Sequence, residues 1–172
     1  KKGLRFHNGD PVKATDIRYS IERVGHPSLS SDGAWAIEKM GIKGYSDYID
    51  TVESEPEEGS IPGIDRTIHL SGIEVLDDYL ILIRLEKPIP YFLDLLTLPY
   101  FSIVSQKSAL RWGEQFKHHP VGTGQYQLST WSRNSDNPVI RLKQFNQSQS
   151  VQNNINEFRF FVIDDHKKEH RY

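Results

Sequence analysis

The stretch LRFHNGDPVKATDIRYSIERV, residues 4–24, decides how the rest of the chain is read. Leu4-Arg5-Phe6 has the apolar-polar-apolar alternation of a strand. It runs at once into His7-Asn8-Gly9-Asp10-Pro11, where Asn and Gly tolerate positive φ and Pro locks its own φ, so a tight turn is expected. Beyond it, Ala14, Ile17, Ile21 and Val24 recur at helical spacing. Asp16 stands in the first turn, where the helix dipole favours an acid, and Gly25 comes directly after the last periodic residue. A strand that opens a chain needs a neighbour to pair with. On that ground the sequence is expected to be a piece of a longer polypeptide.

Working outward, Pro27 to Gly33 is a serine-rich loop, and residues 34–50 form a second, weaker helix interrupted around Gly41 and Gly44. Residues 53–60, ESEPEEGS, are acidic and turn-rich and read as a mobile surface loop. Two β-rich runs at 72–76 and 79–85 flank Asp77-Asp78 and predict a hairpin. Pro90 opens a short apolar helix to Leu96, LPYFSIVS (98–105) reads as a buried strand, and Gln106 to Trp112 as a short helix stopped by Gly113. The last third changes character. Tyr126–Trp131, Val139–Phe145 and Ile155–Ile163 alternate as three strands joined by Asn/Ser/Gln-rich turns, with a charged, frayed tail after Asp164. There is no internal repeat.

Composition narrows the function classes. The 172 residues, 37% hydrophobic and 26% charged, suit one globular domain or slightly more. A net charge of −2 argues against a nucleic-acid module, which carries a basic face. No apolar run approaches the ~20 residues of a membrane span. The chain has no cysteine, which removes disulfides, thiolate zinc sites and cysteine nucleophiles, and leaves the compartment open. His118-His119, His166 with Asp164-Asp165, and His170 lack the spacing of a metal-ligand set, so no metal or other cofactor is expected. Gly122-Thr123-Gly124 precedes a strand, not the helix whose amides would cradle a phosphate; it is a place where the backbone bends. With no nucleophile elbow and no carboxylate pair, an enzyme is not expected. Trp35, Tyr45, Tyr48, Tyr91, Phe92, Tyr100 and Phe101 lie mostly at element ends, where they either fill the core or line a cleft that stacks an organic ligand.

Taken together these motifs resemble the family 5 extracellular solute-binding proteins, the peptide- and nickel-binding components of ABC importers. The turn Arg5–Pro11 and the helix carrying Asp16, Ser20 and Arg23 are similar to the family's signature. So are IEVLDDYLILIRLEKPIPYFLDLL (73–96), HPVGTGQYQLSTW (119–131) and NNINEFRFFVIDD (153–165), in the family's order. Three positions depart. Lys13 replaces a capping Thr, which shifts the expected cap to Thr15; Gln125 replaces Pro; and Asn146–Ser150 lacks the usual aromatic pair.

The resemblance implies an α+β (mixed α/β) fold of the periplasmic-binding-protein type II kind. It implies a fragment: 1–120 the small extra α+β domain, 121–172 strands returning into the first lobe, and the second lobe beyond Tyr172. It implies capture of an oligopeptide, dipeptide or other small solute by hinge closure and delivery to importer membrane subunits, in the periplasm or anchored outside the membrane. Trp35, Tyr100, Phe101 and Ser102 are the expected ligand contacts, with no nucleic acid touched by this segment. The alternative is the ligand-sensing domain of a cytoplasmic regulator with an N-terminal winged helix.

Overall fold

The computed structural model describes residues 2–54, 68–132, 138–145 and 155–161. In it the opening stretch closes on itself instead of running as a strand. The Phe6 amide donates to the Asp10 carbonyl at 2.9 Å, the Val12 amide to Leu4 at 3.0 Å, and Arg5 forms a single bridge with Pro11. Gly9 takes φ 86° and the Asn8 side chain accepts the Asp10 amide at 3.1 Å. These local bonds satisfy the backbone groups that a strand would have offered to a neighbour. Phe6 is thereby fully buried beneath the turn.

Helix α1 (Ala14–Gly25) comes next with the expected face inward: Ile21 and Val24 are buried and Ile17 packs beside them. Its N-cap is Lys13, not Thr15. Asp16 accepts the Lys13 amide at 2.9 Å, and the Ala14 amide donates to the Asp78 carbonyl at 2.8 Å. A side chain of the first turn and a carbonyl from a distant hairpin replace the missing capping hydroxyl.

The second helical stretch is two helices, α2 (Ala34–Lys39) and α3 (Tyr45–Ser54). Gly41 and Gly44 separate them at φ 58° and 74°, conformations that a Cβ disfavours. Strands β1 (Ile73–Asp77) and β2 (Leu80–Ile83) form the expected antiparallel hairpin, with Ile73 opposite Ile83. The ladder continues as an Ile42–Leu85 bridge, with the Lys43 amide donating to Arg84 at 2.9 Å. A Cβ on Gly72 would sit 2.5 Å from the Lys43 carbonyl oxygen, so only glycine allows the hairpin to approach this closely. One core gathers Ile21, Ala36, Ile37, Met40, Ile42, Tyr48, Leu70, Ile73 and Phe101 from these elements.

After the short helix α4 (Phe92–Leu96), residues 98–105 correct the expected buried strand. Pro99–Phe101 is a 3-10 turn, continued by an extended segment outside any ladder. The Val104 amide donates instead to the Ser20 hydroxyl at 3.0 Å. Proline lacks an amide to give a ladder, and α1 supplies the partner that a strand would have found elsewhere. Helix α5 (Gln106–Trp112) ends at Gly113, φ 52°, and a 3-10 turn, Gly113–His118, extends it.

Strands β3 (Tyr126–Ser132), β4 (Val139–Gln144) and β5 (Glu157–Phe161) make an antiparallel meander in the order β3-β4-β5. Leu128 faces Leu142 and Thr130 faces Arg141, which leaves Ser129 as the extra residue of a bulge. The bulge resets the alternation of β3, so Trp131, opposite Ile140, returns to the face of Tyr126 and Leu128. Phe158 and Phe160 pair with Leu142 and Ile140 and complete that apolar face. Glu53 and Ser54, expected in the acidic loop, instead close helix α3. Residues 55–60 of that loop, residues 146–150, His166, His170 and the tail lie outside the described residues.

Candidate ligand-binding site

The signature residues of α1 hold elements together. Asp16 uses its second carboxylate oxygen to accept the Gln106 amide at 3.0 Å, so one buried acid serves the first turns of both α1 and α5. The Ser20 hydroxyl donates to the Asp16 carbonyl at 2.6 Å while accepting from Val104. Glu22 is buried, accepts the Leu70 amide at 2.9 Å and lies 3.2 Å from His69 Nδ1. Burial pushes its carboxyl above the ordinary range; the Leu70 amide and His69 oppose that shift without cancelling it. The guanidinium of Arg23 lies over the Phe116 ring, 5.6 Å from its centroid. Each of these groups has an intramolecular partner, which is the arrangement of a scaffold.

Open surface lies elsewhere. Trp35, the second residue of α2, is 51% exposed and Tyr100 is 43% exposed. The Tyr100 ring covers Gly33, at the N-cap of α2: a Cβ there would come within 2.6 Å of Tyr100 Cγ. The glycine thus seats one aromatic beside the turn that presents the other. Phe101 is 4% exposed and belongs to the main core, while Ser102 is exposed at the edge of a cleft.

That cleft, about 570 Å³, lies between the helical unit and the meander. Tyr126, Leu128, Trp131, Ile140 and Leu142 form its apolar side; Ser102, Ile103, His7 and Gly122-Thr123-Gly124 complete it. An apolar wall with hydroxyls and backbone amides at its edge can hold an organic solute and orient its polar groups. Only Ser102 of this set is among the ligand contacts expected from sequence. The meander residues are legible as strand residues, but the bulge at Ser129 that brings Trp131 round has no signature in the alternation. The chain bends at Gly124-Gln125, with neither glycine of the connector at positive φ; the connector's role as a cleft wall depends on where Ser102 and His7 lie in space.

His118 and His119 do not share a ligand. His119 stacks on Trp112 with ring centroids 3.6 Å apart, and His118 meets Trp131 edge-on at 5.8 Å. Both pack on indoles, His118 half-buried and His119 still exposed. Among the described residues no group of three or more His, Asp or Glu is placed to hold a metal ion, and no helix is long and apolar enough to cross a membrane.

The order of these parts, from signature turn and doubly tied helix to hairpin, Gly-Thr-Gly connector and meander, is shared with known proteins. The family model described as bacterial extracellular solute-binding proteins, family 5 Middle, matches residues 1–169. The chain belongs to this family. The glutathione-binding protein GsiB of Salmonella choleraesuis is 23% identical over 145 residues, covering 84% of this chain and 22% of that protein. The periplasmic oligopeptide-binding protein OppA of Escherichia coli is 29% identical over 133 residues, 76% of this chain and 22% of that protein. The chain therefore spans less than a quarter of the length of these two family members. Among solved structures, OppA of Haemophilus influenzae in complex with RPPGFSPFR superposes with a TM-score of 0.74 at 23% identity, over 99% of this chain and 32% of that one. The murein tripeptide binding protein MppA, unliganded and open, gives 0.75 at 21% identity, over 99% and 30%. The family 5 fold is thus present along nearly the whole sequence.

Proposed function

We propose that this chain is part of a solute-binding component of an ABC importer that takes a peptide, an oligopeptide or a molecule of glutathione's kind. The observation that carries this reading is the family match over residues 1–169, joined to relatives named for oligopeptide and glutathione binding. Those names favour import over the sensing domain of a cytoplasmic regulator, and a site outside the cytoplasmic membrane. Residues 1–120 act as a small α+β domain and 121–172 as strands of the first lobe, with the opposing lobe supplied by chain outside this segment. The ligand binds the closed arrangement of the lobes more tightly than the open one, which shifts the population without making or breaking a bond.

Trp35, Tyr100 and Ser102 meet the solute in this proposal, and Phe101 holds Tyr100 in place from the core. Two exposed rings, Tyr100 over Gly33 and Trp35 two residues along the chain from that glycine, support it, because aromatic surface gives large contact area at little entropic cost. The test is calorimetric titration of the protein carrying this chain with di- to nonapeptides and glutathione. Trp35→Ala and Tyr100→Ala are each expected to weaken binding by about tenfold or more, ~1.4 kcal/mol, with an unchanged melting temperature. Absence of binding to every peptide and to glutathione overturns the importer reading; unchanged affinity in both variants overturns the site.

A further inference from the structure

We propose that His7 is a positioning residue that locks the connector Val121–Gln125 in place, and with it the angle of the meander against the helical unit, through one imidazole tautomer. The Gly122 amide can only donate, and its partner is His7 Nδ1 at 3.4 Å. Nδ1 is therefore the acceptor, and the ring proton sits on Nε2, which donates to the Gly124 carbonyl at 2.9 Å. The backbone amide of His7 donates to the Gly122 carbonyl at 2.9 Å. A single residue thus spans both glycines of the connector with three hydrogen bonds, across more than a hundred positions of sequence.

The ring is fixed on its other side as well. Phe145, at the end of β4, meets it edge-on with centroids 4.9 Å apart, and the Phe145 amide donates to the Gln125 carbonyl at 2.7 Å. The rest of the turn is tied to α5: the Asn8 amide group donates to the Ser108 hydroxyl at 3.1 Å, and Asp10 pairs with Lys107 at 3.0 Å. Residues 7–10 therefore sit as a wedge between α5, the connector and the end of β4. Glutamine or asparagine reproduces one ring nitrogen or the other, and only an imidazole presents an acceptor and a donor to both glycines while packing on Phe145. The inference does not depend on which solute the cleft takes, and its test reads no ligand.

The experiment uses the full chain, uniformly labelled with ¹⁵N. Long-range ¹H–¹⁵N correlations of His7 are expected to show the neutral Nε2–H tautomer; an Nδ1–H ring, or one averaging between forms, overturns the proposal. Amide hydrogen exchange then compares wild type with His7→Ala and His7→Phe, the second keeping a ring against Phe145. In both variants Gly122 and Phe145 are expected to exchange at least tenfold faster, with Ser20–Val24 of α1 unchanged. Uniform acceleration along the chain, or protection restored by His7→Phe, overturns it. If neither variant folds, the wild-type tautomer still decides.

Discussion

The helical unit and the meander differ in what holds them. Every buried side chain among the described residues lies between Phe6 and Phe116, and no residue of β3, β4 or β5 is buried. Ile37 and Met40 are closed off completely by neighbours from α1, α3 and the hairpin. Leu128 and Leu142, equally apolar, are only half-covered. The meander keeps its form through ladder hydrogen bonds, ring contacts that reach across β4 such as Tyr126 on Phe158 at 4.7 Å, and the His7 wedge. Alternation thus gives a strand a face that can be buried, and the covering layer decides whether that face becomes core.

The largest expected effect tests that contrast directly. Ile37→Ala removes a fully buried side chain and should cost about 2–5 kcal/mol in urea unfolding. Next, Asp16→Ala strips an acceptor from the first turns of α1 and α5 and should cost roughly 1–3 kcal/mol. Asp16→Asn keeps an acceptor for only one of the two helices and should fall between. Leu128→Ala, in the half-covered meander, should cost on the order of 1 kcal/mol, since less apolar area is lost. A Leu128→Ala loss equal to that of Ile37→Ala would abolish the distinction between the two regions.

The smallest effect sharpens the contrast from inside the helical unit. Burial raises the Glu22 carboxyl, so the folded chain holds that proton more tightly than the unfolded one. Stability from this group is fully present below its unfolded-state pKa and declines as pH rises through the raised folded-state value. The stability of wild type relative to Glu22→Gln should therefore fall with rising pH across that window. A rising difference would mean that the Leu70 amide and His69 outweigh burial.

Much of the secondary structure is legible in the sequence because its causes are local. The 3.6-residue spacing of Ala14, Ile17, Ile21 and Val24, the glycine breaks at 41 and 44, the Asp-Asp hairpin, the proline-led α4 and the alternation of the last three strands each need only a few neighbouring residues to specify them. Leu4–Phe6 has strand-like alternation and LPYFSIVS reads as a buried strand, and both readings mislead. A strand is completed by a partner, and both segments find closer ones, the turn carbonyls in one case and the Ser20 hydroxyl in the other.

The candidate site divides in the same way. The sequence by itself determined that aromatic residues cluster near element ends, that the Gly-Thr-Gly connector bends, and that the motif order is that of a solute-binding family. Only the tertiary structure decided that Tyr100 faces outward over Gly33 while Phe101, its neighbour, enters the core. Only it turned Trp131 onto the apolar face and joined His7 to Gly122 and Gly124. Propensity and turn chemistry act over a few residues, whereas burial and hydrogen-bond partners are chosen among groups that sequence separates by tens of positions and packing brings within a few ångströms.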